Sequence, residues 1–547
     1  MTRQKLSWFG FMILFMLFSS SFYYETPFVS AENSLDPAPQ LQPVGTSNGK
    51  KILFDNTHGQ TAGAADWVLD GGFSDFANAL ANKGYYAKEL RKSTPITYQD
   101  LQGYNVLVIG EANIPYKTSE QDAMIQYVQN GGSIFFIADH YNADRNKNRW
   151  DASEVFNGYR RGAYSNPAKG MMTEEASSAA MQGVAGSDWL SSNFGIRFRY
   201  NAIGDVTAND IVATSQAFGI TTGVSAVAMH AGSTLAITDP NKAKGIVYLP
   251  PTSSAWGSAV DQGVYNGGGR AEGPFVGVSK LGAGKAAFIG DSSPVEDATP
   301  KYLKEETGGQ KTTYDGFKEQ NDGTILVNII DWLSKQESFT ALSQVSGLQL
   351  DNKTALLSME NPQTSTEPAI EPWAAPATGY KWYDSSTFKS GSFGYGTAST
   401  GGTAILNENF ESGTKTAYTS GNVTLSSGSW NFNNALIGNL TGDKKNGAQS
   451  ARVRSSGSLT MNFNVSGAKS VQISHANFST DSGANWQLQM STNSGSTWTN
   501  IGGTNTSSSA LTGKTFTLTQ TAPVRFRIVV SGTTGQRINF DDIVISN

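Results

Sequence analysis

The chain has no cysteine in its 547 residues. That excludes disulfides and all thiol chemistry, so its domains are held by hydrophobic cores or bound ions rather than covalent bridges. Histidine is nearly as scarce: His58, His140, His230 and His475 are the whole set, and the first three lie in the α/β part as candidate acids, bases or ligands. There is also no apolar run of the about 20 residues that a membrane helix needs. The longest, Trp8 to Phe18, is too short. It follows Arg3 and Lys5 and precedes Val29-Ser30-Ala31, the three-part pattern of a secretory signal. Residues 1–31 are therefore expected to be removed, leaving a secreted, extracellular monomer with no membrane span.

Roughly 515 residues then remain, enough for two or three domains. The formal net charge of -5 is uneven: from Thr403 onward ten basic residues face six acidic ones, 10 - 6 = +4, which leaves -9 on the rest. A mildly basic tail on an acidic body fits a tail that meets polyanions.

Residues 32–50, with Pro37, Pro39 and Pro43, read as an exposed arm. The stretch 51–336 has the rhythm of strands and helices that builds a parallel sheet covered on both faces. Strands are expected at Lys51 to Phe54, Tyr85 to Leu90, Asn105 to Ile109, Ile134 to Ala138, Thr234 to Ile237, Gly245 to Leu249, Phe275 to Val278 and Ala286 to Ile289. Helices are expected at 66–83, from Thr118 to Asn130 and from Gly323 to Lys335, with a short one near Asp188 to Asn193. The aromatic- and glycine-rich region 141–222 breaks the rhythm and is read as an active-site cover. Residues 337–402, rich in Pro, Ser, Thr and Gly, read as a linker. From residue 403 to 547 short alternating runs such as Val524-Arg-Phe-Arg-Ile-Val529 predict antiparallel strands of a β-sandwich.

Chemistry concentrates where apolar strand runs end. Ile134 to Ala138 breaks into Asp139-His140, Phe54 is followed by Asp55 and His58, and Ala286 to Ile289 by Asp291. In an open α/β sheet ligands bind at the carboxyl ends of strands. Convergence of His58, Asp139, His140 and Asp291 would make an acid/base or metal-assisted hydrolytic site, with Asp55 and Asp144 as metal ligands. The competing reading is that polar residues merely cap strands. Asn142, Asp144, Asn146 and Asn148 place oxygens at alternate positions as an ion-binding loop does, but basic residues interleave, and Arg145 and Arg149 could instead face an anionic substrate. Arg270, in a Gly-rich loop with Glu272, is a further anion clamp or part of a plain hairpin loop. No GxSxG elbow supports a serine nucleophile. In the tail, Trp430, Trp486 and Trp498 are a stacking platform or core. Glu411 and Asp542 lie near the two ends of that module, where paired first and last strands would let a structural Ca²⁺ clip them.

The α/β part, in its strand order and its closing Phe288-Ile-Gly-Asp-Ser292, resembles the class I glutamine-amidotransferase-like superfold, in the branch without the amidotransferase cysteine. Where those enzymes place the nucleophile after a central strand this chain has Asp139-His140, so amidotransferase activity does not carry over. The tail, from Leu406-Asn-Glu-Asn-Phe-Glu411 through Ser427-Gly-Ser-Trp-Asn-Phe432 to Arg537-Ile-Asn-Phe-Asp-Asp-Ile543, resembles a jelly-roll module appended to extracellular bacterial endonucleases and other secreted hydrolases. Together the resemblances imply a flavodoxin- or amidotransferase-like parallel-sheet α/β domain, an all-β jelly-roll sandwich, and a secreted hydrolase of Gram-positive type.

One reading is a metal-dependent phosphodiesterase or nuclease acting on extracellular nucleic acid. There His58, Asp139, His140 and Asp291 act through a divalent metal, and Arg145, Arg149 and Arg270 meet phosphate. The acidic body opposes it, since nucleic-acid binding runs on positive charge. A second is a polysaccharide-acting enzyme with a carbohydrate-binding tail, Asp139 pairing with Asp291 or Glu272. A third is a non-catalytic surface binding protein in which His58 and His140 complete hydrogen-bond networks.

Overall fold

The computed structural model describes residues 32–34, 36–259, 263–368, 374–395, 404–518, 520 and 522–546. The expected signal peptide lies outside the described residues, as does the end of the expected linker.

Nine strands form the body's main sheet: β1 (Gln40–Leu41), β2 (Lys51–Asp55), β3 (Tyr86–Leu90), β4 (Val106–Gly110), β5 (Ser133–Ile137), β6 (Asp210–Ile211), β7 (Ala243–Tyr248), β8 (Pro274–Leu281) and β9 (Gly284–Ile289). Their order is β1-β3-β2-β4-β5-β9-β8-β7-β6. The central five, β3-β2-β4-β5-β9, run parallel. Strands β4 and β5 are buried at every position, which is why they read as continuous apolar runs.

The sheet is mixed rather than wholly parallel, because β1, β8, β7 and β6 pair antiparallel. The cause is visible at β8 and β9. Leu281 pairs with Gly284 across the two-residue turn Gly282-Ala283, with Gly282 at φ +57, and a two-residue turn joins only antiparallel strands. The strand expected at Thr234 to Ile237 exists as Leu235–Ile237, but it pairs with Ile196–Phe198 outside the main sheet.

Helices α1 (Ser74–Asn82) and α3 (Asp322–Leu333) cover one face, and α2 (Thr118–Gln129) the other. The helix expected over 66–83 starts only at Ser74. Gly71 and Gly72 lie against the Asp66 carboxylate, which accepts from Gly72 N at 3.0 Å and holds the preceding residues in turns.

The described residues of 337–395, linker-like in composition, lie against the body. Glu360 accepts from buried Arg199 at 2.7 and 2.8 Å, Asp351 accepts from Lys244 Nζ and the Tyr248 hydroxyl, and Tyr380 and Trp382 are buried. The tail is an all-β sandwich between Ala404 and Ser546, with its first strand, Ala404–Glu408, paired antiparallel to its last, Arg537–Ser546. Trp430 and Trp486 belong to its core, and Trp498 is half-buried with Arg527 4.4 Å from its ring.

Candidate functional site

Every central parallel strand delivers its last residues to the same edge. The loop after β2 carries Asp55 and His58, that after β4 carries Glu111, that after β5 carries Asp139 and His140, and that after β9 carries Asp291. They gather in two groups.

The larger group lies over β4, β5 and β9. Arg145 Nε donates to Glu111 Oε1 at 3.2 Å, and its Nη2 donates to Asp139 Oδ2. The same guanidinium stands 5.3 Å from the Trp67 ring. Glu111 Oε2 has no hydrogen-bond partner although it is buried. Burial, followed by the charge of Asp139, pushes the Glu111 carboxyl well above the usual carboxylate range. The same two causes raise Asp291, which accepts from His230 N at 2.5 Å and Ser293 N at 2.8 Å. Glu296 lies behind, accepting from Trp67 Nε1 at 2.7 Å. Burial lowers the basicity of His140, whose ring packs 4.1 Å from Trp256.

Backbone strain marks this place. Glu111 sits at φ +30, and the loop carrying Arg145 has Asn142, Asp144, Lys147 and Arg149 at φ +76, +38, +67 and +70. Such conformations cost about 1 kcal/mol or more each and persist where the surroundings over-determine them. Asp151 is what holds the loop, accepting from the backbone of Asn142, Ala143 and Asp144.

Glu111 is the residue that sequence reasoning missed. Its signal was the one that exposed Asp139: an apolar run, Val106 to Ile109, ending in an acid.

The second group lies over β2. His58 Nε2 meets Glu120 Oε2 at 3.2 Å, and its Nδ1 meets the Thr57 hydroxyl at 2.7 Å. The ring packs 4.0 Å from Tyr116. Burial opposes charge on His58, but Glu120 and Asp55 outweigh it and lift the imidazole to about 9. Asp55 accepts from Thr57, Gln60 and Tyr116. This is a charged, bonded scaffold turned towards α2.

Asp144, expected as a metal ligand, accepts from Arg149 N at 2.8 Å, and its carboxyl is pushed up to about 7 by burial and by Asp151. Arg149's guanidinium lies beside Gly170. Arg270 forms two bonds to Asp210, 2.8 and 2.9 Å, on the wall of a separate cavity of about 720 Å³ by β6 and β7. Glu272 braces its own loop, accepting from Tyr265 N and Asn266 N. His230 joins the main group through its backbone, while its ring pairs with Glu319 at 2.9 Å and stacks on Tyr314. Among the described residues no three or more His, Asp or Glu side chains are arranged to hold a metal ion.

In the tail, the 446–449 loop crosses the expected Ca²⁺ ligands. Asn446 donates from N to Asp541 and from Nδ2 to Asp542, and Ala448 N and Gln449 N donate to Glu411.

No known protein family and no curated protein matches the sequence. Among solved structures, an mmIFT52 N-terminal domain is similar at 12% identity and TM-score 0.33, covering 53% of this chain and 99% of its own. Two carbohydrate-binding modules are similar over the tail. TmCBM61 in complex with beta-1,4-galactotriose has 13% identity and TM-score 0.19, covering 25% of this chain and 93% of its own. The CBM22-1 xylan-binding domain from Paenibacillus barcinonensis Xyn10C has 14% identity and TM-score 0.20, covering 26% and 94%.

Proposed function

We propose that this chain is a secreted polysaccharide-acting hydrolase whose acid/base pair is Glu111 and Asp139, with the β-sandwich as a glycan-holding tail. The observation that carries it is the Arg145 bridge between two carboxyls at the carboxyl edge of the parallel strands. The pair is asymmetric. Burial and the Asp139 charge push the Glu111 carboxyl up, the direction that favours the protonated form a general acid needs to protonate a glycosidic oxygen. Asp139, bonded to Arg145 and to His140 N at 2.7 Å, is the anionic partner that activates water or attacks the sugar carbon. Environment thus divides two like groups into two roles.

Arg145 covers the pair. Its side chain is 15% exposed against 1% for Glu111 and 7% for Asp139, so substrate reaches the carboxyls by displacing the guanidinium. Trp256, half-buried beside His140, offers an apolar surface for a sugar ring.

This reading replaces the nucleic-acid one because the cations expected to meet phosphate are committed elsewhere. Arg145 is held between the Glu111 and Asp139 carboxyls and Arg270 by Asp210. A phosphodiester backbone would meet Glu111, Asp139, Asp291 and Glu296 with little positive charge to offset them.

The test is depolymerisation by the mature chain of a polysaccharide panel, DNA and RNA, beside Glu111→Gln and Asp139→Asn. Cleavage of a neutral glycan, lowered at least 100-fold in both variants, supports the reading. Chelator-sensitive nucleic-acid cleavage refutes it.

A further inference from the structure

A second cavity, of about 240 Å³, opens beside the Asp55–His58 scaffold. The chain leaves β2 for β3 on one side and returns to β4 on the other. Strand order therefore reverses between β2 and β4, the place where an open α/β sheet leaves a crevice. The cavity's floor is Asn56, Thr57 and Gly59 after β2, with Ile114 after β4. Its roof is aromatic, formed by Tyr380, Trp382, Tyr383 and Phe388 of the segment after α3. That roof is pinned: Trp382 Nε1 donates to Glu175 at 2.7 Å, Lys381 Nζ to Glu174 at 2.6 Å and Lys389 N to Glu305 O at 2.9 Å.

The lining specifies a ligand class. Two charged side chains reach the cavity, and each has a partner: Lys92 bonds Asp100 at 2.5 Å, and Glu305 faces Lys311 at 3.7 Å. An ionic ligand would therefore be desolvated with no counter-charge to receive it. The remaining polar groups are hydroxyls and amides, among them those of Thr57, Asn56, Asn146 and Ser385. Thr57 is fixed at the floor, its hydroxyl 2.6 Å from Asp55 and 2.7 Å from His58. Rings above and hydroxyl partners below suit a neutral, polyhydroxylated ring. The volume is that of about eight waters and below the roughly 300–1,000 Å³ of drug-sized sites, so it takes one ring rather than an oligomer.

We propose that this switch-point cavity binds a single neutral sugar residue, with the Asp55–Thr57–His58 set positioning its floor. The assignment stands whether or not Glu111 and Asp139 hydrolyse a glycosidic bond.

The experiment is saturation-transfer NMR on the full mature chain with D-glucose, D-galactose, D-xylose and N-acetylglucosamine, and with glucose 6-phosphate as the charged comparison. Two variants accompany it. Ala180→Trp fills the rim while leaving Ala180's backbone carbonyl to accept from Lys117, and Tyr383→Ala removes part of the roof. At least one neutral sugar should saturate, and both variants should raise its Kd at least tenfold with unchanged Tm. If Tyr383→Ala loosens the roof, Ala180→Trp alone decides. Absence of any saturable neutral sugar, binding unaffected by Ala180→Trp, or preference for the phosphate overturns the proposal. Depolymerisation by Glu111→Gln reads the other site separately, so the two failures are distinguishable.

Discussion

Arg145 joins Glu111 to Asp139, and it is the most exposed of the three side chains. Removing it leaves two buried carboxyls facing each other with their shared counter-charge gone. We predict that Arg145→Ala costs about 3 kcal/mol of stability at pH 7. The folded variant takes up a proton on Glu111 more readily than the unfolded chain does. Its stability therefore recovers as pH falls towards 5, which urea unfolding at several pH values will show.

His58 gives a dependence of the same sign in a higher pH window. Its folded value of about 9 lies above the ordinary 6.5, so its contribution is complete below pH 6.5 and is lost as pH rises through 9. The loss amounts to about 3 kcal/mol. Measured as the difference between the native chain and Glu120→Gln, stability should converge above pH 9 and diverge below 7. Parallel curves would refute the assignment.

Lys147 sits at φ +67 in the loop that presents Arg145, a region an L side chain enters at a cost of about 1 kcal/mol. Lys147→Gly should therefore leave stability equal or raise it by up to about 1 kcal/mol, despite the usual penalty for glycine. A loss above about 1 kcal/mol would show that the lysine side chain itself holds the loop.

Glu411 and Asp542 share one end of the sandwich, and burial followed by the Glu411 charge pushes Asp542 up to about 6. We predict that Ca²⁺ at a hundredfold excess over its Kd stabilises the chain by about 2.7 kcal/mol, and that Asp542→Asn abolishes the increase. A Tm indifferent to Ca²⁺ removes the clip.

The parallel core and its chemistry-bearing edge were legible because strands buried on both faces are continuous apolar runs, and an acid after such a run has one place to go. Asp139 and Asp291 were found that way. Glu111 carries the same signal, since Ile109-Gly110-Glu111 repeats the spacing of Ile289-Gly290-Asp291. A Gly-rich loop does not reveal its direction, and that of Arg270 leads to Asp210. The segment 337–395 reads as a linker because Pro, Ser and Thr report local conformation. Its attachment depends on distant partners such as Arg199 and Glu175, which composition does not encode. The split between the Asp55–His58 and Glu111–Asp139 groups likewise depends on which way each loop turns after its strand.

The account turns on Glu111 being held protonated by burial and by the charge of Asp139. The most direct measurement is a ¹³C NMR titration of the Glu111 carboxyl in the native chain and in Asp139→Asn. The account predicts a native carboxyl still protonated at pH 7 and a midpoint that falls when the Asp139 charge is removed. A native midpoint near the ordinary value of about 4.3, unmoved by Asp139→Asn, would contradict it.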